Sequence, residues 1–166
     1  GGDRPSIMFS TAHNTDTWSV GYGFTDGLFR IKKDHGHRNG GWGTALMTMD
    51  RSGNVTFAGN VTAYSDERLK TDIKTIENPL DAIKQLRGVT FKWKESGDES
   101  IGLIAQEVEK VDLTKCLVSE TAEDGNGDIN PKNVAYGNMV GLLVEAVKEL
   151  TAKVETLETK LSQKEK

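Results

Sequence analysis

A serine and a lysine five positions apart are the residues of this chain best suited to covalent chemistry. Ser65 and Lys70 enclose the tetrapeptide Asp-Glu-Arg-Leu. A serine hydroxyl is a weak nucleophile at neutral pH and needs a base, and a lysine becomes one when burial lowers its pKa from about 10.4. The carbonyl nearest to the Ser65 hydroxyl along the chain belongs to Tyr64. The pair therefore suggests an N-to-O acyl shift that cuts the Tyr64–Ser65 bond.

The same residues also fit an ordinary helix start. A serine followed by Asp66 and Glu67 is typical of a helix N-cap with acidic residues in its first turn, and Lys70 would then be a surface charge. Spacing alone favours this second interpretation.

Histidines offer a weaker alternative site. His35 and His37 form an H-x-H pattern that a strand would direct to one face, as a metal ion requires. A solvated loop explains them better, and His13 is a weaker ligand still. We therefore assign no metal and no cofactor.

Two further patterns are incomplete. Asp124, Asn126 and Asp128, within residues 123–128, are spaced like the start of a calcium loop. Counted from Asp124, however, the sixth position is Ile129 and the twelfth is Ala135, where such loops have glycine and glutamate. A hairpin tip explains the segment better. Cys116 is the only cysteine, so no disulfide forms within the chain. We expect it to be buried and structural.

Composition changes at Ser65. Residues 1–64 contain no glutamate, eleven of the eighteen glycines, and six Lys and Arg against five Asp. Residues 65–166 contain fifteen Lys and Arg against twenty Asp and Glu. This asymmetry predicts two domains, 1–64 and 65–166. The overall charge of −4 gives no footprint for nucleic acid, and no apolar run approaches the roughly 20 residues that span a bilayer. We expect neither partner.

The first domain is predicted to be all-β. Segments 6–10, 18–24 and 28–32 are short and β-rich, with Asp26-Gly27 as a hairpin turn. Residues 45–64 form short strands punctuated by glycine. Such a ladder is too small to close a core alone, so we expect it to be intertwined with identical copies.

The second domain is predicted to be α+β. Asn78 as cap, Pro79 at the first helical position and Gly88 as stop define a helix. Residues 89–94 alternate as a strand, 101–105 resemble a buried strand, and a short helix covers 106–111.

The end of the chain is predicted to be a coiled-coil helix, about 136–166. Its apolar residues follow a spacing of 4, 3, 4, 3 that is sustained over four heptads, and this spacing indicates an oligomerisation seam. The seam consists of Tyr136, Val140, Leu143, Val147, Leu150, Val154, Leu157 and Leu161.

Three motifs together resemble the intramolecular chaperone domain of bacteriophage tail fibres and tailspikes, peptidase family S74. They are the Ser65–Lys70 motif, the run from Gly102 to Glu109, and the entry into the terminal helix between Leu142 and Leu150. The resemblance covers about residues 65–166. Residues 45–64 are also similar to the strands that precede this domain in fibre proteins.

The resemblance implies a homotrimer that registers the upstream stem of the same chain and then releases itself. It implies that Ser65 is the nucleophile, that Lys70 is the general base, and that the Tyr64–Ser65 bond is cut once, with no external substrate. Asp66 and Gln106 match motif positions as supporting residues. Assembly would occur in the host cytoplasm, with the fibre part in the virion tail.

Two other interpretations stay open. The domain would be a non-catalytic trimerisation cap that remains attached to a receptor-binding fibre. Residues 1–44 would contact a host-surface receptor, with Trp18, Tyr22 and Trp42 stacking on sugars, although these aromatic residues also fit the core of a small β-domain.

Overall fold

The computed structural model describes most of the chain and divides it into two compact units. The units are residues 1–69 and 70–166. The described residues are 6–10, 17–23, 26–34, 43–120 and 131–164.

The described part of the first unit is an antiparallel sheet in which each strand pairs with the next along the chain. Its strands are β1 (Ser6–Ser10), β2 (Thr17–Tyr22), β3 (Phe29–Asp34), β4 (Thr44–Met49) and β5 (Val55–Phe57). The register between β3 and β4 shifts between Ile31 and Lys32, as at a β-bulge. The all-β prediction is confirmed here, whereas residues 58–64 form no strand.

Asp50 closes the turn between β4 and β5. Its carboxylate accepts the backbone N–H groups of Ser52 and Asn54, each at 2.9 Å. Gly53 lies between them with φ of 82°, a conformation that glycine adopts without strain. The Ser-Gly-Asn punctuation in the sequence is therefore a tight turn.

One face of this sheet is apolar. Residues directly opposite each other on neighbouring strands point to the same side, and cross-strand pairs such as Phe9–Trp18 and Met47–Phe57 are apolar on both strands. Its apolar residues are Ile7, Phe9, Trp18, Val20, Tyr22, Phe29, Ile31, Met47, Met49, Val55 and Phe57, and Lys33 shares the face opposite Trp18. Its side chains are half-buried or exposed in the single chain, with Ile7 64% exposed.

The described part of the second unit combines three helices with two hairpins, so the α+β prediction is confirmed. The helices are α1 (Pro79–Gln85), α2 (Ala105–Val108) and α3 (Met139–Lys164). The strands are β6 (Val89–Lys92) paired with β7 (Glu99–Gly102), and β8 (Val118–Glu120) paired with β9 (Lys132–Val134).

The start of α1 is capped by a side chain from another helix. Asn78 occupies the N-cap position with φ of 51°, but its side chain makes no capping hydrogen bond. Instead, Glu149 of α3 accepts the backbone N–H of Leu80 at 3.2 Å. The expected Asn78 side-chain cap is therefore wrong, because the left-handed backbone places that residue in the turn while a carboxylate from another helix takes its role.

The core of the second unit lies between α1 and α3. Ala82, Val111, Met139 and Leu142 are buried together, and Thr114 is 1% exposed while its hydroxyl donates to the carbonyl of Val108 at 2.8 Å. Apolar residues around them close the core at its edges: Ile76, Ile83, Leu86, Leu103 and Leu117.

Two burial expectations are wrong. Ile101 is 78% exposed, because β7 pairs only with β6 and turns this side chain away from the core. Cys116 is exposed as well, since it lies in a single 3₁₀ turn, Lys115–Leu117, that has no buried residue.

Candidate functional site

The Ser65–Lys70 motif surrounds a single 3₁₀ turn, Glu67–Leu69. Ser65 precedes this turn by two residues and Lys70 follows it directly; both residues are exposed. Tyr64 is 96% exposed in a segment without helix or strand. The bond predicted to be cut therefore lies in an accessible stretch of backbone.

Asp66 organises this turn. Its Oδ1 accepts the backbone N–H of Arg68 at 2.9 Å, and its carbonyl accepts the N–H of Leu69 at 3.1 Å. The Arg68 guanidinium forks onto the same carboxylate, with Nη2 at 2.6 Å from Oδ2 and Nε at 3.0 Å from Oδ1. The capping carboxylate of this turn is thus that of Asp66, whereas the helix-start interpretation gave the cap to Ser65.

The same contacts keep Asp66 ionised. The side-chain hydrogen bond from Arg68 lowers the pKa of the Asp66 carboxyl below its usual value, and the Arg68 backbone N–H lowers it further. In the sequence, this charged carboxylate lies between the two residues of the predicted dyad. It is paired with Arg68, to which the sequence interpretation gave no role. An acid and an arginine two positions apart were the only signal for this pair.

The division between the two units falls between Leu69 and Lys70. The predicted nucleophile thus lies in the first unit, four residues before its end, and the predicted base is the first residue of the second. Their pairing as a dyad stays a prediction.

Gln106 lies on α2 with its side chain exposed. The neighbours of Gln106 on this short helix hold it in place, since Ala105 and Val108 are buried. Its supporting role in cleavage stays a prediction.

A glycine and a tyrosine that sequence reasoning did not pair anchor the second motif. The Tyr136 hydroxyl accepts the backbone N–H of Leu103 at 2.8 Å and lies over Gly102, where a Cβ atom would come within 2.6 Å of it. A side chain on Gly102, the single glycine of the Gly102–Glu109 motif, would therefore displace the Tyr136 hydroxyl.

Tyr136 consequently lies outside the helical part of the seam. It belongs to a 3₁₀ turn, Tyr136–Asn138, and α3 begins at Met139. The predicted helix start at about 136 is three residues too early, because Tyr136 turns toward β7.

The rest of the predicted seam lies on α3 and is exposed in the single chain. Its side chains are between 44% and 62% exposed: Val140, Leu143, Val147, Leu150, Val154, Leu157 and Leu161. The neighbouring stripe on the first turns of α3 is buried, with Met139, Leu142 and Ala146 facing the core. The two apolar stripes explain why this helix packs on its own unit and still presents a seam.

Several sequence candidates lie outside the described residues: His13, His35, His37, Trp42 and the 123–128 loop. Trp18 and Tyr22 are described, and both belong to the apolar face of the sheet. Within the described ranges, no group of three or more His, Cys, Asp or Glu side chains is arranged to hold a metal ion. The helices described there are also too short or too polar to cross a membrane.

One protein family matches the segment that begins with the Ser65–Lys70 motif. Residues 65–117 match the model of the peptidase S74 family, described as the chaperone of endosialidase. The match begins at Ser65 and extends through α2.

Curated relatives are phage proteins. The chain is 42% identical over 109 residues to the long tail fiber protein Gp37 of Enterobacteria phage K3, covering 63% of this chain and 8% of that protein. It is 30% identical over 145 residues to Gp37 of Salmonella phage S16, covering 75% of this chain and 19% of that protein. The chain thus spans less than a fifth of these relatives.

A solved structure is also similar, at 13% identity and a TM-score of 0.38, with 95% of this chain and 54% of the other covered. It is the carboxy-terminal domain of the bacteriophage T5 L-shaped tail fiber with its intra-molecular chaperone domain.

These sequence matches are to long tail fiber proteins of phages. The family match lies within residues 65–117 and is to peptidase S74, the chaperone of endosialidase.

Proposed function

We propose that residues 65–166 form a chaperone domain that trimerises the chain, assembles the β-rich segment before it, and then releases itself by cutting the Tyr64–Ser65 bond. One observation carries this proposal: the peptidase S74 match begins at Ser65, the residue that its chemistry and spacing with Lys70 single out.

The chemistry requires only groups of the chain and one water molecule. Lys70 accepts the proton of the Ser65 hydroxyl, and Oγ attacks the carbonyl carbon of Tyr64. The peptide C–N bond breaks, the proton passes to the leaving nitrogen, and an ester joins Tyr64 to Ser65 Oγ. Water then hydrolyses this ester, leaving a carboxylate on Tyr64 and a free amine and hydroxyl on Ser65.

Assembly would prepare the base. Leu69 is 70% exposed and Ile73 is 61% exposed in the single chain, and these apolar side chains flank Lys70 in sequence. Packing of copies that covers them would remove water from the Lys70 amine and favour its neutral form. Cleavage would then follow assembly.

Each unit supplies a surface for assembly. The apolar face of the first unit and the seam of α3 both contain several exposed large apolar side chains, and contiguous exposed apolar surface marks an interaction site. A helical seam raises the effective concentration of the strands it joins, which helps because β-structures with distant pairings fold slowly. Once the strands are interlocked, a high unfolding barrier keeps them together after the chaperone domain is released.

This function implies a location and partners. The chain would assemble in the host cytoplasm, residues 1–64 would stay in the virion tail, and the chaperone domain would be released. Residues 1–44 would then face a host-surface receptor, whereas Trp18 would be covered on assembly because it lies on the apolar face.

Mass spectrometry of the purified chain after incubation tests the proposal. We expect fragments that end at Tyr64 and begin at Ser65, and an uncut chain for Ser65→Ala and Lys70→Ala. Lys74→Ala is the matched control, because it removes an exposed lysine four residues further on. All variants should form the same oligomer. An assembled wild-type chain that stays intact would instead support the non-catalytic cap.

A further inference from the structure

The Asp66 carboxylate lies at a position where it can oppose the proposed cleavage. Asp66 precedes Lys70 by four residues across the single 3₁₀ turn Glu67–Leu69, so it is one of the acids nearest to Lys70 in the sequence. A carboxylate beside a lysine stabilises its ammonium form, and an ammonium group cannot accept the Ser65 proton. A cleavage motif with an aspartate at this position therefore needs a way to neutralise it.

Arg68 provides this neutralisation in the structure. Its Nη2 is 2.6 Å from Asp66 Oδ2, and its Nε approaches both carboxylate oxygens at 3.0 and 3.2 Å. Its own backbone N–H donates to Oδ1 as well. Both oxygens of Asp66 are thus engaged by one residue, through the planar fork that arginine offers and lysine does not.

Stability does not explain this pair. The Arg68 side chain is 87% exposed and the Asp66 side chain is 38% exposed, and ion pairs on such surfaces contribute little to folding. What the pair does fix is the orientation of the Asp66 carboxylate, which points to Arg68.

We propose, resting on the cleavage function above, that Arg68 is a positioning residue for self-cleavage: it holds the Asp66 carboxylate within the turn and so keeps it from pairing with the Lys70 amine. Asp66 then serves as a cap for the turn without acting as a counter-ion for the base. The charged side chains within four residues of Lys70 are Asp66, Glu67, Arg68, Asp72 and Lys74.

A double-mutant cycle on the full chain tests this role. The chain is kept unfolded in urea, cleavage is started by dilution, and loss of the intact band gives the rate. We expect Arg68→Gln to slow cleavage about tenfold, because the released carboxylate would favour the ammonium form of the lysine, which cannot accept the Ser65 proton. Adding Asp66→Asn should restore the rate to within about twofold of Asp66→Asn alone, because asparagine keeps the capping oxygen and removes the charge.

Glu67→Gln is the matched control. It removes a carboxylate three residues before Lys70 that is not the one held by Arg68, so combining it with Arg68→Gln should give no recovery. Circular dichroism and the oligomer size should be the same for all variants, and melting temperatures should agree within about 2 °C.

The outcomes separate the two proposals. If the wild-type chain is cut and Arg68→Gln is cut at the same rate, or the double variant stays as slow as Arg68→Gln, the positioning role is wrong while cleavage stands. If Ser65→Ala is cut like the wild type, or the wild type is not cut, the cleavage function and the positioning role both fall.

Discussion

Replacing Gly102 by alanine should destabilise the second unit through a single contact. A Cβ at this position would lie 2.6 Å from the Tyr136 hydroxyl oxygen, closer than real Cβ contacts, whereas the nearest ring atoms, of Phe91 and of Tyr136, are at 3.5 and 3.6 Å. The clash is therefore with the hydroxyl group and not with the ring.

The magnitude follows from what Tyr136 loses. Moving its hydroxyl away breaks the 2.8 Å hydrogen bond from the Leu103 N–H and the 3.4 Å bond to the Leu103 carbonyl. Each net hydrogen bond contributes about 0.5–1.5 kcal/mol. Alanine returns part of this through lower chain entropy in the unfolded state, since glycine here has no positive φ. We expect a loss of about 1–2 kcal/mol in the free energy of unfolding.

Urea unfolding of four proteins measures this contact: wild type, Gly102→Ala, Tyr136→Phe and the double variant. In the phenylalanine background the added methyl group meets only ring carbon at ordinary distance, so Gly102→Ala should cost almost nothing there. The expected coupling is about 1–2 kcal/mol. An equal cost of Gly102→Ala in both backgrounds would refute the reasoning, because it would place the strain elsewhere in β7.

The remaining predictions concern α3. Its Glu149 accepts the Leu80 N–H and the Lys153 ammonium, which together lower the pKa of its carboxyl, with the Lys153 bond as the larger cause. Its contribution to stability is therefore full above its ordinary pKa of 4.5 and is lost as the pH falls through the lowered folded value. Thermal unfolding between pH 3 and 7 should show a steeper acid loss for the wild type than for Glu149→Gln, and parallel curves would count against this cap. Leu150→Lys should break the oligomer in sedimentation experiments without unfolding the second unit, because Leu150 is 51% exposed. Ala152→Lys, off the seam, should leave the oligomer intact, and equal sedimentation of the two variants would contradict the seam.

Local patterns predict the elements of this chain well. Alternation and turn residues locate β1 at Ser6–Ser10 and predict the strand that follows the Asp26-Gly27 turn. The Pro79 start signal places α1, since the backbone reasons for such signals act within a few residues. The coiled-coil spacing predicts α3 and leaves its start uncertain by one turn.

Long-range contacts are what the sequence does not reveal. Nothing local indicates that Glu149 caps a helix 69 positions earlier, or that Tyr136 docks on Gly102. The exposure of Ile101 likewise follows because, among the residues that the structure describes, β7 has β6 as its single neighbouring strand. In the candidate site, Ser65 and Lys70 are identifiable from chemistry and resemblance, whereas the pairing of Asp66 with Arg68 needed the turn geometry.

The alternating side chains of β3 in the first unit restrict the register in which this strand can pair with its neighbours. Its apolar residues Phe29 and Ile31 alternate with the cations Arg30 and Lys32. Because side chains repeat every second residue, a slip of one residue would exchange the two sets. Two positive charges would then enter the apolar face, where desolvation penalises them heavily. A slipped pairing of β3 is thus disfavoured by charge as well as by shape.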